Sequence, residues 1–365
     1  MVAGDFKPAW WLCGAHLQTI WAARIRSPIP IRWRRERLEL ADGDFIDLDF
    51  AHPGPSSQGP AKYRHYPLAD RRPLAILLHG LQGSSRSLHI RGLARALLGH
   101  GWRCLVMHFR GCGGNANRLT RAYHSGEIED FAFLIRSLRR YRPDTRLAAV
   151  GFSLGGSVLL NFLARHEMAG EIDAAVGVCV PLCLAPAAKA LDRKGMSLYR
   201  RHFIGDLRRS AIDKFRRRPA PIDLDRLRRV RLFHEFDNLV TAPLHGFRNA
   251  DHYYEAASVR PHLHRLRCPT LILHALDDPF MTPAVVPKAH ELSPSIRLEI
   301  SPHGGHIGFV EGKTPWRARY WLEDRIPRFL LETIGSADGD PSAQSRPAIG
   351  PDLAGKAEGA GIEKG

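Results

Sequence analysis

Short apolar runs alternate with longer amphipathic stretches along most of this chain of 365 residues. The runs are too short for buried helices and are bounded by Gly or Pro, so they predict strands that are buried on both faces. Crossover helices cover both faces of such a sheet, and the alternation therefore predicts an α/β fold with a mostly parallel central sheet flanked by helices. The predicted strands are Leu74–Leu78, Cys104–Met107, Leu147–Val150, Ala174–Val180, Thr270–His274 and Ile296–Ile300.

Amphipathic stretches between these runs predict the helices, and a turn signal predicts one hairpin. The runs Leu38–Leu40 and Phe45–Phe50 flank Asp42-Gly43-Asp44, a typical hairpin turn. Helical patterns lie near Ser87–Leu98, Glu127–Arg139, Ser157–Arg165, Pro283–Glu291 and Trp316–Thr333.

About ninety residues separate the Ala174 strand from the Thr270 strand, which indicates an insertion. In a parallel sheet an insertion at this point lies over the carboxyl ends of the strands, where functional sites form. The last residues are rich in Gly, Ala, Pro and charged side chains and are expected to be disordered. The predicted organisation is an N-terminal arm (1–35), the first part of the core (36–182), an inserted lid or cap (183–266), the second part of the core (267–334) and a tail (335–365).

The formal net charge is +16, and its excess is concentrated in one stretch. Between Arg193 and Arg231 there are fourteen Lys or Arg against four Asp or Glu. A solvated basic face is the plain interpretation, and peripheral contact with an anionic membrane is the alternative. The stretch contains no nucleic-acid-reading module and no interleaved aromatic platform, so no nucleic-acid partner is predicted.

Cysteine usage favours a reducing, cytoplasmic environment. The six cysteines are too few and too scattered for a disulfide framework. Cys179 and Cys183 do not form a C-x-x-C pair, so neither a redox motif nor a zinc site is predicted from them. The longest apolar run, Ala174–Ala188, is shorter than a bilayer span and contains two prolines, and no transmembrane segment is expected.

The segment Gly151-Phe152-Ser153-Leu154-Gly155 carries the clearest chemical signal. A bare G-x-S-x-G is weak, but here it follows the predicted strand Leu147–Val150 and precedes a helical pattern. A sharp strand-to-helix turn lifts the serine hydroxyl clear of the sheet, and the two glycines leave room for the crossing backbone. Ser153 is therefore the predicted nucleophile.

A serine nucleophile needs a histidine to take its proton and a carboxylate to orient that histidine. In this strand–turn–helix architecture the acid and then the base follow on turns after later strands. Asp278 is favoured over Asp277 because it precedes Pro279, which starts the next turn, and His306 is favoured over His303 because it follows two glycines. From the residues alone both alternatives stay open, as does an ordinary loop role, while a metal role for the two histidines lacks further ligands.

Two backbone N–H groups must also face the oxyanion that forms on the attacked carbonyl. Leu154 follows the nucleophile and supplies the first. The loop His79-Gly80-Leu81-Gln82-Gly83, after the Leu74–Leu78 strand, is predicted to supply the second from Leu81.

Further motifs are spread along most of the chain: His16-Leu17-Gln18-Thr19, His79-Gly80-Leu81-Gln82-Gly83, His108-Phe109-Arg110-Gly111-Cys112, Tyr123-His124-Ser125-Gly126-Glu127, Gly151-Phe152-Ser153-Leu154-Gly155-Gly156, Glu235-Phe236-Asp237, Asp277-Asp278-Pro279-Phe280-Met281 and His303-Gly304-Gly305-His306-Ile307-Gly308-Phe309. In these motifs the chain resembles the YheT-like esterases of the α/β-hydrolase superfamily, a family that includes eukaryotic α/β-hydrolase-domain lipases and yeast acyl-CoA:ethanol acyltransferases. The resemblance implies an α/β-hydrolase fold with an inserted lid and a carboxylic-ester hydrolase with the triad Ser153, Asp278 and His306.

The predicted reaction is a two-step acyl transfer through an acyl-enzyme, without a metal or organic cofactor. The expected substrates are short- to medium-chain or lipid-like esters. Two alternatives stay open: transfer of the acyl group to an alcohol by the same triad, and a non-catalytic protein that uses the fold for binding.

Overall fold

A nine-stranded sheet forms the centre of the computed structural model, which describes residues 2–52, 72–216 and 218–335. Its strands are β1 (Val2–Ala3), β2 (Arg32–Glu39), β3 (Phe45–His52), β4 (Leu74–Leu78), β5 (Arg103–Met107), β6 (Leu147–Phe152), β7 (Ala174–Val178), β8 (Thr270–Ala275) and β9 (Ile296–Ser301). Their order in space is β1-β9-β8-β7-β6-β4-β5-β3-β2. The first seven strands in this order are parallel, β3 pairs antiparallel with β5, and β2 at the edge pairs antiparallel with β3. The mostly parallel sheet is confirmed.

Helices cover both faces of this sheet. The α-helices are α1 (Ala15–Ile20), α2 (Leu88–Gly99), α3 (Glu129–Tyr141), α4 (Leu154–Arg165), α5 (Leu184–Leu191), α6 (Ser197–Phe215), α7 (Leu224–Arg229), α8 (Phe233–Phe236), α9 (Ala242–Leu244), α10 (Ala250–Ala257) and α11 (Leu322–Ile334). In β4, Leu74, Ile76 and Leu78 pack in the apolar cluster that contains α3 and α4, whereas Ala75 and Leu77 pack in the one that contains α2 and α11. This alternation explains why the strand is apolar at every position.

Most predicted strands lie within two residues of the observed ones, and the predicted hairpin joins β2 to β3 through Gly43 at φ 81°. The helix predicted over Pro283–Glu291 is wrong. That segment forms two 3₁₀ turns, Pro283–Val285 and Ala289–Glu291, because Pro287 lacks the N–H that a continuous helix requires.

The helix predicted from Trp316 begins later, at Leu322. The preceding residues instead form β11 (Arg319–Tyr320), which pairs antiparallel with β10 (Val310–Glu311). This pairing is a tertiary contact that helical periodicity does not reveal.

Between β7 and β8 the described part of the predicted cap, residues 183–266 without Arg217, contains α5 to α10. Buried side chains of α6, α7 and α8 form an apolar cluster of their own, with Ile204, Leu227 and Phe233 among its members. The predicted tail lies outside the described residues from position 336. No helix among the described residues is long and apolar enough to cross a membrane.

Candidate active site

Ser153 occupies the sharp turn between β6 and α4. Its backbone has φ 50° and ψ −118°, a conformation that a residue with a Cβ rarely adopts. The backbone is held there because the Ser153 N–H donates to the Val178 carbonyl at 2.9 Å. The turn directs Ser153 into a cavity of about 460 Å³ between the sheet and the cap.

The glycines of the motif make this turn sterically allowed. A Cβ added at Gly151 would lie 2.5 Å from the Gly155 carbonyl oxygen, and one at Gly155 would lie 2.4 Å from the Leu78 carbonyl oxygen. Both clashes are with backbone, which cannot move aside without shifting a strand or a helix. The spacing of the motif is therefore a packing requirement of the strand–helix crossing.

Asp278 and His306 meet beyond the carboxyl ends of β8 and β9. The His306 Nδ1 lies 2.8 Å from the Asp278 Oδ2, and the two side chains are 8% and 0% exposed. A second Asp–His pair lies beside it: Asp277 accepts from the Gly305 N–H at 2.9 Å and lies 3.4 Å from His303, which is 62% exposed. Asp278 and His306 thus form a buried pair, whereas Asp277 and His303 form a pair nearer the surface, where Asp277 holds the loop at Gly305.

The described hydrogen bonds do not join Ser153 to His306. The two residues are linked through Phe280, which lines the cavity together with Ser153 and has its ring 4.3 Å from the imidazole of His306. A nucleophile and its base often approach to hydrogen-bonding distance only when substrate is bound.

Two residues of the N-terminal arm support the His306 loop, and the sequence alone did not assign them this role. The Thr19 hydroxyl accepts a hydrogen bond from the His306 N–H at 2.9 Å. The Gln18 amide accepts from the Val310 N–H at 2.7 Å and donates to the Val310 carbonyl at 3.1 Å. The motif His16-Leu17-Gln18-Thr19 was the available signal, and its function as a brace for the loop requires the fold.

Two backbone N–H groups of the loop after β4 have partners within the protein. The Gln82 N–H donates to the Tyr123 hydroxyl at 2.9 Å, and the Gly83 N–H donates to the Gly80 carbonyl at 3.0 Å. Leu81 and Leu154 both line the cavity with Ser153, and Leu154 opens α4, so its N–H has no partner within the helix. The two residues predicted to supply the oxyanion donors therefore line the same cavity as the predicted nucleophile.

His79 holds this loop in place from below. Its Nδ1 lies 2.8 Å from the Gly80 carbonyl oxygen, and its Nε2 accepts from the Phe109 N–H at 3.3 Å. Burial lowers the pKa of His79 to about 3, so the imidazole is neutral and can accept at Nε2 while donating at Nδ1. The ring serves as a rigid positioning element for the loop.

Helix α6 of the cap crosses above this site. Tyr199 and Phe203 pack their rings on Phe280 with centroids 4.9 and 5.6 Å apart. Further along the helix, the Ser210 hydroxyl donates to the Gln82 side chain at 3.1 Å. The apolar wall that the cap contributes to the cavity includes Leu184, Ala187, Leu191, Phe233, Phe236 and Val240.

Strand β7 ends at Val178, two residues earlier than predicted, and Cys179 follows it and packs beside the acid–base pair. Its φ is 48°, and its thiol accepts from the Ile307 N–H at 3.4 Å. Ligand atoms of Cys179, Asp278 and His306 lie within 4.8 Å of one another. Burial, followed by the charge of Asp278, raises the pKa of the thiol well above its ordinary value, so Cys179 is a neutral packing residue here.

A second group of potential ligands lies in the cavity wall. His124 and Glu127 precede α3, His245 follows α9, and their ligand atoms lie within 4.8 Å of one another. Glu127 already pairs with Arg121 and accepts from the Glu129 N–H at 3.1 Å. A cation bound by these three side chains would have to displace that guanidinium.

A parallel sheet with helices on both faces, a strained serine turn and an Asp–His pair at the strand ends define the architecture of an α/β hydrolase. The family model for the alpha/beta hydrolase fold matches residues 73–313, and the chain belongs to this family. It is 39% identical over 330 residues to the Escherichia coli protein named "Putative esterase YheT", an alignment that covers 90% of this chain and 93% of that protein. The predicted resemblance to YheT-like proteins is confirmed.

A mouse protein named "Phospholipase ABHD3" is 29% identical over 336 residues, which cover 92% of this chain and 80% of that protein. Among solved structures, the Pyrococcus furiosus esterase Pf2001 superposes with a TM-score of 0.51 and 15% identity, covering 92% of this chain and 98% of that one. At this identity the structural likeness supports the fold alone.

Proposed function

We propose that this protein is a serine hydrolase of carboxylic esters that works through an acyl-enzyme, with Ser153 as nucleophile, His306 as base and Asp278 as the group that orients His306. The observation that carries the proposal is the buried Asp278–His306 pair, 2.8 Å apart, beside a cavity into which the strained Ser153 turn points. The names of the relatives, an esterase and a phospholipase, agree with this class of reaction.

The proposed reaction has two steps, formation of the acyl-enzyme and its hydrolysis. Ser153 Oγ attacks the ester carbonyl and passes its proton to His306 Nε2, while the N–H groups of Leu81 and Leu154 stabilise the oxyanion. The C–O bond to the alcohol breaks, and His306 returns the proton to the departing alcohol oxygen. Water then attacks the acyl-enzyme, again through His306, and releases the carboxylic acid and the free Ser153 hydroxyl.

The cavity favours an acyl group of short to medium length or a lipid-like ester. Its cap wall is apolar, and its volume of about 460 Å³ falls in the range of small-molecule pockets. Burial of each methylene against such a wall contributes about 0.8 kcal/mol, so the acyl chain supplies binding energy and the polar groups at the base supply the chemistry.

Added alcohol separates hydrolysis from acyl transfer. With 4-nitrophenyl butyrate and 1 M ethanol, roughly 2% of the 55 M water concentration, a hydrolase without alcohol selectivity should form ethyl butyrate as a minor product, within several-fold of that mole ratio. Gas chromatography of the products measures the split against an ethanol-free control. Ethyl butyrate as the main product would contradict hydrolysis and establish the alcohol transferase.

The basic stretch of the cap supports a proposed peripheral contact with anionic membranes. Arg216, Arg228 and Arg229 are exposed on the cap that covers the site, where a lipid surface would meet the cavity. Each arginine near an anionic surface contributes on the order of 1 kcal/mol to attraction.

Replacing Arg216, Arg228 and Arg229 by Gln should therefore weaken binding to vesicles containing phosphatidylserine by at least about tenfold, as measured by co-sedimentation at low salt. A matched triple variant at Arg86, Arg136 and Arg140, which are exposed outside the cap, removes the same charge. Equal binding by the two variants would refute a membrane-facing cap.

A cytoplasmic location is part of the proposal. It rests on the cysteines, all six of which are free, with Cys104, Cys179 and Cys268 buried.

A further inference from the structure

Lys214 is a buried cation in the wall of the cavity, and the proposed reaction has no use for it. It lies near the end of α6 and is 7% exposed. Its ammonium donates to the Asn117 Oδ1 at 2.9 Å and to the Arg121 carbonyl at 2.5 Å. Both acceptors are uncharged, and an ammonium has three N–H donors, so one donor remains beyond these two bonds.

No carboxylate among the described residues forms an ion pair with Lys214. The acidic side chain whose charge acts on it, Asp44, already accepts from Arg110 at 3.0 Å and from the Asn117 amide at 2.6 Å. Burial is the main cause that lowers the pKa of Lys214, to about 7, and Asp44 opposes it. An unpaired buried ammonium is costly, and a negative group placed beside it lowers that cost.

Helix α6 connects Lys214 to the loop that contains Leu81. Ser210 lies one helical turn earlier on α6 and contacts Gln82, the neighbour of the oxyanion donor Leu81. Four residues of an α-helix span about 6 Å along the helix axis, which is the advance along α6 from Ser210 to Lys214. Lys214 and Ser153 line the same cavity.

The described part of the cavity wall has three other charged side chains, Arg110, Asp213 and Asp237, and Asp213 is exposed. Arg110 lies between Asp42, Asp44 and Asp130. Asp237, in the cap, accepts from Thr241 at 2.6 Å and from the Tyr254 hydroxyl at 2.7 Å. Among the described residues, Lys214 is therefore a cation of this wall that has no carboxylate partner, whereas Arg110 has three.

We propose that the Lys214 ammonium binds a carboxylate or phosphate carried by the ester substrate, so that the enzyme selects esters with an anionic group away from the scissile bond. Asn117 orients the ammonium, and helix α6 of the cap places Lys214 in the cavity wall. The inference rests on the proposed ester hydrolysis and specifies the substrate class of that site.

Two pairs of esters test this selection. Mono-4-nitrophenyl adipate against 4-nitrophenyl hexanoate places a carboxylate at the end of the acyl chain. 1-Butyrylglycerol 3-phosphate against 1-butyrylglycerol places a phosphate on the alcohol. We expect kcat/KM for the charged member of at least one pair to exceed that of its neutral counterpart by about tenfold, and the pair that shows it identifies which end of the substrate carries the anion.

Lys214→Met should remove this preference and Lys214→Arg should retain part of it. Each variant is judged by its own charged-to-neutral ratio, which does not depend on how much of the enzyme is folded. Arg209→Met is the matched control, since Arg209 lies on the same helix, 71% exposed and paired with Asp206, and should keep the wild-type ratio.

Three results would overturn the inference. Equal rates within both pairs, with the neutral esters hydrolysed, contradict anion selection and leave the proposed hydrolase intact. A preference that survives Lys214→Met assigns the selection to another group. Failure of wild type to hydrolyse any of the four esters, together with no fluorophosphonate labelling of Ser153, contradicts both proposals.

Discussion

Ser153→Ala should lower kcat/KM for 4-nitrophenyl esters by at least about 10⁴-fold and should abolish covalent labelling by a fluorophosphonate. Without the hydroxyl no acyl-enzyme forms, and only the oxyanion donors and substrate binding remain to accelerate attack by water. Intact-protein mass spectrometry after labelling, together with initial rates, measures both effects. Alanine keeps the Cβ at φ 50°, so the thermal midpoint should change little.

Ser137→Ala is the control for this experiment. Ser137 lies on α3, and its hydroxyl donates to the Phe133 carbonyl at 2.8 Å outside the cavity. That variant should label and turn over like wild type. Labelling that persists in Ser153→Ala would show that another residue is the nucleophile and would refute the central proposal.

Asp278→Asn is expected to lower kcat by about 10³- to 10⁴-fold. An amide in place of the buried carboxylate neither holds His306 in the tautomer with a proton on Nδ1 nor stabilises the imidazolium that forms when Ser153 attacks. Steady-state kinetics with 4-nitrophenyl butyrate measure the loss. Because asparagine has almost the same shape, the fold should be retained, which circular dichroism checks.

Asp277→Asn provides the matched comparison at the adjacent position. Asp277 contacts the Gly305 N–H and the exposed His303, so its carboxylate supports the loop and does not reach the buried imidazole. We expect a loss of at most about tenfold in kcat. A larger loss from Asp277→Asn than from Asp278→Asn would reverse the proposed roles of the two carboxylates.

Much of the fold follows from local patterns that survive in the tertiary structure. The sequence predicts strand β4 with its observed bounds because an apolar run this short, between polar turns, is too short for a buried helix. The turn at Ser153 could be predicted because the spacing of Gly151 and Gly155 is typical of a strand-to-helix turn that holds a serine. The pattern failed at Pro283–Glu291, where Pro287 interrupts an otherwise helical periodicity.

The class of fold could be predicted from the sequence, and so could the candidate residues Ser153, Asp278 and His306 in their order along the chain. The sequence favoured Asp278 and His306 but left Asp277 and His303 open, and the tertiary structure places the two Asp–His pairs apart because adjacent residues of one turn point to different sides of it. The tertiary structure also brought Thr19 to the His306 backbone and Lys214 to the cavity, across 287 residues in the first case. Contacts over such separations depend on how the elements pack, and local periodicity carries no information about that packing.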